Sequence, residues 1–177
     1  MKNGKTAARY AKALIELSIE GAKVDEVFGN MQDLTETINS SADLSLMLKN
    51  PVIKSEEKQK VFTALFGGSF NELSSKTISL LISNKRENII NEVALQFIAK
   101  YKEHKNIITA EVTSAVKLDD SQKAEIMALL NHNGEVELIE NVDSKLIGGF
   151  IVKIGDKQID ASVARKFKDL RKEIILN

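Results

Sequence analysis

Apolar side chains recur at helical spacing through the first hundred residues. Val24, Val27, Met31, Leu34 and Ile38 are separated by three or four positions and would therefore line one face of a helix. The same pattern predicts six helices in residues 5–105. The short connections between them are typical of a bundle. The first of these helices is apolar nearly all the way round, which is more than one buried stripe requires.

Residues that favour helix ends divide this region. Ser55 can cap the fourth helix, and Ser69 with Glu72 forms a capping-box pattern ahead of the fifth. The single proline, Pro51, predicts a break after the third helix. These signals set the expected starts of the helices.

The pattern changes after Lys105. Ile108, Ala110 and Val112 alternate with more polar residues, which predicts a strand. Asp119 can cap a following helix, and further strands and a last helix give the order β-α-β-β-β-α. The sequence therefore predicts an all-α six-helix bundle in residues 1–105 and a small α+β domain in residues 106–177.

The stretch Leu146–Ile154 is apolar on both alternating faces, so we expect a strand that is covered on both sides. Gly148 and Gly149 have no side chain to pack, which would let a neighbouring element approach closely. Gly155 marks a turn into a return strand at residues 158–161. Ser162 can then cap a helix with one apolar face, formed by Val163, Phe167, Leu170 and Ile174.

Composition narrows the function classes. Lys and Arg together number 25, as do Asp and Glu, and aromatic residues are 5% with no Trp. A nucleic-acid-binding protein usually shows a basic excess and aromatic side chains for stacking. The chain has no cysteine, and no apolar run reaches the roughly 20 residues that span a bilayer. Met1–Gly4 leads almost directly into a helix, so we expect no cleaved leader.

Residues that would carry catalysis or bind a cofactor are scarce. The two histidines, His104 and His132, lie at expected helix ends and outside any recognisable catalytic motif. The chain has no Gly-x-x-x-x-Gly-Lys-Ser/Thr loop and no G-x-G-x-x-G fingerprint for phosphate. We therefore expect neither an enzyme nor a cofactor or metal site.

Charge is uneven in the C-terminal part. Residues 106–160 contain five Lys and ten acidic residues, whereas residues 161–177 contain five basic and two acidic ones. The last helix is thus basic, with Arg165, Lys168, Arg171 and Lys172 among its charges. Such a helix can dock on an acidic partner or can present a solvated face.

Three motifs resemble the F-type ATP synthase delta subunit family, whose mitochondrial relative is the oligomycin-sensitivity-conferring protein. A-R-Y-A-K-A-L at residues 8–14 resembles the family's first helix, and I-S-L-L-I-S-N-K-R at residues 78–86 resembles its fifth. D-S-K-L-I-G-G-F at residues 143–150, followed by Gly155–Asp156 and I-D-A-S-V at residues 159–163, resembles its C-terminal motif. The three matches occur in the family's order and span nearly the whole chain.

The resemblance implies a non-catalytic subunit of the peripheral stalk. In that family the helical domain grips the N-terminal helices of alpha subunits on the catalytic head, and the C-terminal domain holds the b-subunit stalk. The counterparts of Tyr10, Ala13, Lys76 and Leu80 line the groove for the alpha helix. The resemblance also implies no homo-oligomer, no membrane insertion, and a peripheral position on the cytoplasmic side of a bacterial inner membrane.

Two other interpretations fit the residue pattern alone. One is a generic adaptor with a helical bundle and a protein-binding α+β module. The other is a weak nucleic-acid binder that uses the basic last helix. The pattern alone also allows Tyr10, Leu80 and the other groove candidates to be core residues of the helical domain, and it favours that interpretation for Leu14 and Leu73.

Overall fold

The computed structural model describes residues 2–130 and 134–176, and divides the chain into two compact units, Met1–Lys102 and Glu103–Asn177. A helical N-terminal region is followed by a small part with helices and a sheet. No helix among the described residues is long and apolar enough to cross a membrane.

Unit 1 is built from helices with a 3-10 turn at Glu87–Ile89. Each α-helix buries one stripe of apolar residues. Val27, Met31, Leu34 and Ile38 form the buried stripe of the second helix, as the spacing predicted. The helices are α1 Lys2–Glu20, α2 Val24–Ser40, α3 Ala42–Lys49, α4 Ser55–Phe66, α5 Glu72–Ser83 and α6 Ile90–His104.

The starts of α4 and α5 differ from the prediction. Ser55 is already the first residue of α4, and the residue before it, Lys54, makes no side-chain cap. Ser69 does not cap α5. Asn71 does so instead, and its side chain accepts a hydrogen bond from the backbone N–H of Leu73 at 2.9 Å.

Asn71 caps α5 because a residue on α2 holds its backbone. The side-chain oxygen of Asn30 accepts a hydrogen bond from the Asn71 backbone N–H at 2.8 Å and another from the hydroxyl of Ser74 at 3.0 Å. Ser74 is fully buried. A contact distant in sequence therefore decides which of the available polar residues becomes the cap.

A buried ion pair joins α4 to the 3-10 turn. The ammonium of Lys58 is fully buried, lies 2.5 Å from Oε1 of Glu87, and donates to the carbonyl of Asn50 at 2.8 Å. The second carboxylate oxygen of Glu87 is buried with no hydrogen-bond partner in the described residues. Burial alone would raise the pKa of Glu87, but the hydrogen bond and charge of Lys58 help to hold that pKa below its ordinary value.

Unit 2 contains a four-stranded sheet with strand order β2-β1-β3-β4. Strand β1 is parallel to β2 and antiparallel to β3, which is antiparallel to β4. The elements follow the predicted order: β1 Ile108–Ser114, α7 Asp120–Leu130, β2 Val136–Val142, β3 Phe150–Ile154, β4 Lys157–Asp160 and α8 Val163–Leu176.

Among the described residues, one face of this sheet carries the core of unit 2. Val112 pairs with Val152 in register, and both are buried in a cluster with Ile126 of α7. On the opposite face Glu111 pairs with Lys153, and both are exposed. The prediction that the strand at residues 146–154 is covered on both sides is therefore wrong.

The segment Leu146–Gly149 is not part of a strand, since β3 begins at Phe150. Gly149 instead lies in a turn with a φ of +76°, which side chains of L-residues rarely adopt. A Cβ atom placed there would lie 2.5 Å from the carbonyl oxygen of Ala161. The close approach inferred from the sequence is confirmed, but it occurs in a turn.

The predicted caps in unit 2 are present. Asp119 and Gln122 exchange backbone and side-chain hydrogen bonds of 2.7 and 3.1 Å at the start of α7. The hydroxyl of Ser162 accepts from the backbone N–H of Arg165 at 3.2 Å and caps α8. Local sequence is sufficient here because donor and acceptor lie within one turn.

The predicted apolar face of α8 is not packed as a whole. Val163 is half-buried and contacts the turn at Gly148, but Phe167 is 67% exposed. The side chains of Leu170 and Ile174 lie outside the described residues.

Candidate functional site

Helices α1 and α5 run antiparallel against each other. At one end, the amide of Asn84 donates to the hydroxyl of Tyr10 at 3.5 Å. At the other, a Cβ atom added to Gly21 would lie 4.0 Å from the Cδ1 atom of Leu73. Tyr10 and Gly21 are separated by as many residues as Leu73 and Asn84. The helices therefore keep one register along their whole contact, with Ala13 and Leu80 at nearly the same level.

The outer side of this helix pair is largely apolar. Leu17 on α1 is 52% exposed and Leu80 on α5 is 50% exposed. Ala13 is also exposed, and Tyr10 is half-buried. We call the surface formed by these four residues the α1/α5 groove. Its larger side chains flank the small Ala13, and such a surface fits the apolar face of a helix.

Lys76 lies on α5, one turn before Leu80. Its ammonium is 2.6 Å from the carboxylate of Glu72 on the same helix, and both side chains are exposed. The hydrogen bond from Lys76, together with its charge, lowers the pKa of Glu72 below its ordinary value. This pair lies at the rim of the groove, where an ion pair contributes little to stability.

Thr77 completes the wall between Lys76 and Leu80. Its hydroxyl donates to the carbonyl of Leu73 at 2.8 Å, within α5 itself. A partner that covers Thr77 therefore leaves no donor without an acceptor, which would otherwise cost about 1–3 kcal/mol. The groove can be covered by an apolar surface at this point.

A cleft closes the Tyr10 end of the groove. It is lined by Thr6, Arg9, Tyr10, Ala13 and Arg86, so it joins α1 to the residues that follow α5. Neither arginine was predicted from the sequence as a residue of the binding surface. Arg9 and Arg86 lie inside two of the motifs quoted above, but the pattern does not show that they reach the same cleft.

The basic residues of α8 form a second exposed surface. Arg165 is ion-paired with Asp169 on the same helix at 3.1 Å, whereas Lys168, Arg171 and Lys172 are simply exposed. Phe167 lies among them and is itself exposed. The surface thus combines positive charges with an exposed aromatic ring, which the charge pattern alone did not indicate.

The glycines chosen from the sequence have different environments. Gly148 contacts Val163, because a Cβ there would lie 3.1 Å from its Cγ2 atom. Gly149 lies in the close turn described above. Gly155 has a φ of +53° in the β3–β4 turn, with open space around it. All three positions therefore act through the backbone, by a close approach or by a positive φ.

The described residues contain few groups that could carry catalysis or bind a metal ion. His104 is exposed at the end of α6, and His132 lies outside the described part of the chain. No group of three or more His, Cys, Asp or Glu that could hold a metal ion occurs in residues 2–130 and 134–176. The surfaces on α1/α5 and α8 are the strongest candidates for function.

Comparison with known proteins agrees with this picture. A family model described as ATP synthase delta (OSCP) subunit matches residues 6–174. ATP synthase subunit delta of Flavobacterium psychrophilum is 36% identical over 98% of this chain and 99% of its own length. Its counterpart in Cytophaga hutchinsonii is 34% identical over 97% and 94%.

A solved structure has the same fold. A chain of the Toxoplasma gondii mitochondrial ATP synthase hexamer superposes with a TM-score of 0.73 at 22% sequence identity, and the match covers 96% of this chain and 97% of that one. Because the family model and the bacterial relatives each cover nearly the whole chain, the chain belongs to the ATP synthase delta (OSCP) subunit family, the non-catalytic peripheral-stalk subunits of the F-type ATP synthase.

Proposed function

We propose that this chain ties the catalytic head to the stalk through two separate surfaces. The α1/α5 groove binds the N-terminal helix of an alpha subunit, and unit 2 holds the end of the b-subunit stalk with the basic side of α8. A connection fixed at both ends resists the torque that the rotor exerts on the head. The exposure of Leu17 and Leu80 on two helices that contact each other is the observation that carries this proposal.

The groove has the chemistry that a helical partner requires. Half-exposed leucines gain burial when a partner covers them, at about 25 cal/mol per Å² of apolar area. Tyr10 offers an apolar ring with a hydroxyl that can stay in contact with water. Lys76 at the rim can meet an acidic residue of the partner without being desolvated.

We expect Tyr10→Ala and Leu80→Ala each to weaken binding of the alpha helix by at least about 1 kcal/mol, since each removes apolar contact at the groove. The measurement is calorimetric titration of the full chain with a synthetic peptide of the alpha subunit's N-terminal residues. Leu65→Ala on α4 is the matched control, because Leu65 is 51% exposed outside the groove. Unchanged affinity together with a lowered melting temperature would show that Tyr10 and Leu80 are core residues and would contradict the assignment.

The two surfaces belong to two domains in this proposal, a six-helix bundle in residues 1–105 and an α+β domain in residues 106–177. The turn after α6 separates them. Lys105 and Asn106 are exposed there, and Asn106 has a φ of +56°. The complex would hold the chain peripherally on the cytoplasmic side of a bacterial plasma membrane.

Limited trypsin digestion should cut first between Lys102 and Asn106, since exposed turns are the preferred sites of proteolysis. We expect a stable fragment of residues 1–102 or 1–105, identified by mass spectrometry. Its circular dichroism should keep a cooperative helical melt, because its apolar stripes form a core without unit 2. Simultaneous loss of both halves would instead indicate one cooperative core.

A further inference from the structure

Two arginines line the cleft at the Tyr10 end of the α1/α5 groove. Arg9 and Arg86 both lie in its wall and are exposed. Neither side chain forms an ion pair with the described residues of the chain. Lys12 on α1 and Lys76 on α5 differ in this respect, since each pairs with a carboxylate one turn away.

The two arginines of the cleft lie on different segments of the chain. Arg9 lies on α1 beside Tyr10. Arg86 follows the end of α5, where Lys85 has a φ of +55° and the backbone N–H of Arg86 donates to the carbonyl of Leu81 at 2.8 Å. This pair of features terminates the helix and fixes where the arginine leaves it. The amide of Asn84 lies 3.5 Å from the hydroxyl of Tyr10, so this end of α5 lies beside α1.

Two positively charged side chains in the wall of one cleft favour the binding of an anion there. A guanidinium group matches a carboxylate through two parallel hydrogen bonds. Because the rest of the groove is apolar, the matching ligand is a helix with an apolar stripe and a carboxylate at the level of Tyr10.

We propose that Arg9 and Arg86 together bind one carboxylate side chain of the docked alpha-subunit helix, and that this contact sets the register of the helix in the groove. The inference rests on the proposed function. It adds that the partner is chosen by an acidic residue at a defined position as well as by its apolar stripe. The apolar contacts supply most of the affinity, and the two arginines supply the alignment.

The test is a titration of the full chain with the N-terminal alpha peptide and with peptides in which each Asp or Glu is singly replaced by Asn or Gln. The chain variants are Arg9→Gln, Arg86→Gln and the double variant, with Lys60→Gln on α4 as the control, because Lys60 is exposed and lies outside both candidate surfaces. We expect each groove variant to bind the parent peptide at least about five-fold more weakly at low salt. One amide-substituted peptide should bind the unmodified chain with a similar loss of affinity. The same peptide should bind the double variant only a little more weakly still.

The dependence on salt should distinguish a lost charge contact with the peptide from a loss of folding stability. The loss caused by Arg86→Gln should shrink as ionic strength rises, because screening weakens an exposed charge contact, while melting temperatures stay unchanged. Binding of the parent peptide by the double variant within two-fold of the unmodified chain would overturn the inference and leave the proposed function intact. An equal loss of affinity for every amide-substituted peptide would also overturn the inference. Failure of the unmodified chain to bind any of the peptides would overturn both.

Discussion

Gly149→Val should destabilise unit 2 by about 2–5 kcal/mol, of which about 1–2 arises from the positive φ and about 1–3 from overpacking. The added Cβ atom would lie 2.5 Å from the carbonyl oxygen of Ala161 and 3.0 Å from Cα of Ser162. Both neighbours are backbone atoms at the start of α8, so they cannot move away without displacing that helix. Hydrogen exchange of the β1 and β3 amides, followed by mass spectrometry, measures the effect.

Gly155→Val is the matched control, because Gly155 also has a positive φ but has open space around its Cα. Gly155→Val should lower the stability of unit 2 only by the share that arises from the positive φ, about 1–2 kcal/mol. The two tyrosines, Tyr10 and Tyr101, both lie in unit 1, and the chain has no Trp. Tyrosine fluorescence should therefore report an unchanged unit 1 in both variants. Equal destabilisation by the two valines would contradict the close approach at Gly149.

Lys58→Met should destabilise unit 1 by about 3–5 kcal/mol at pH 7, because it leaves the buried carboxylate of Glu87 without its cation. The methionine side chain fills a similar volume, so a cavity is not the cause. Urea unfolding followed by tyrosine fluorescence measures the loss. Adding Glu87→Gln to the variant should restore most of it, since no buried charge then remains. A double variant as unstable as the single one would show that packing, rather than charge, is responsible.

The pH dependence of the two proteins should differ in sign. The pKa of Glu87 in the unmodified chain is below its ordinary value, so its contribution to stability is present above about pH 4.5 and is lost as pH falls through the folded pKa. In Lys58→Met, burial is no longer opposed by Lys58 and raises the pKa of Glu87. Lowering the pH then neutralises the unpaired charge, and the difference between variant and parent should shrink from pH 7 towards pH 4.5.

The sequence was most informative where partners lie within one turn. The caps at Asp119 and Ser162 and the buried stripe of α2 needed only local spacing, and the structure has all three. Ser69 was wrong as the cap of α5 because that choice depends on Asn30, which is distant along the chain. Ser55 was wrong as a cap because it is already the first residue of α4. The buried Lys58 was missed because its partners Asn50 and Glu87 lie on other segments.

The stretch before β3 shows a different limit. An apolar run satisfies the period of a strand whether or not its backbone is extended, so Leu146–Gly149 could not be separated from Phe150–Ile154 by pattern. For the candidate site, spacing placed Tyr10, Ala13 and Leu80 on two helices. It could not show that Arg86, after the end of α5, reaches the same cleft as Arg9, because that depends on how the helix ends.

The order of strands in unit 2 has a consequence for how the chain acquires its structure during synthesis. Strand β1 lies at the interior of the sheet, yet both of its neighbours are made after it, and Val112 meets Val152 only once α7 and β2 have been translated. Contacts between residues far apart in sequence slow folding, whereas helical regions with many local contacts fold faster. Domains also form in the order in which they leave the ribosome. The helical unit should therefore reach its native state first. During the interval before β2 and β3 are made, β1 has no strand to pair with, and its backbone N–H and C=O groups are open to wrong pairing.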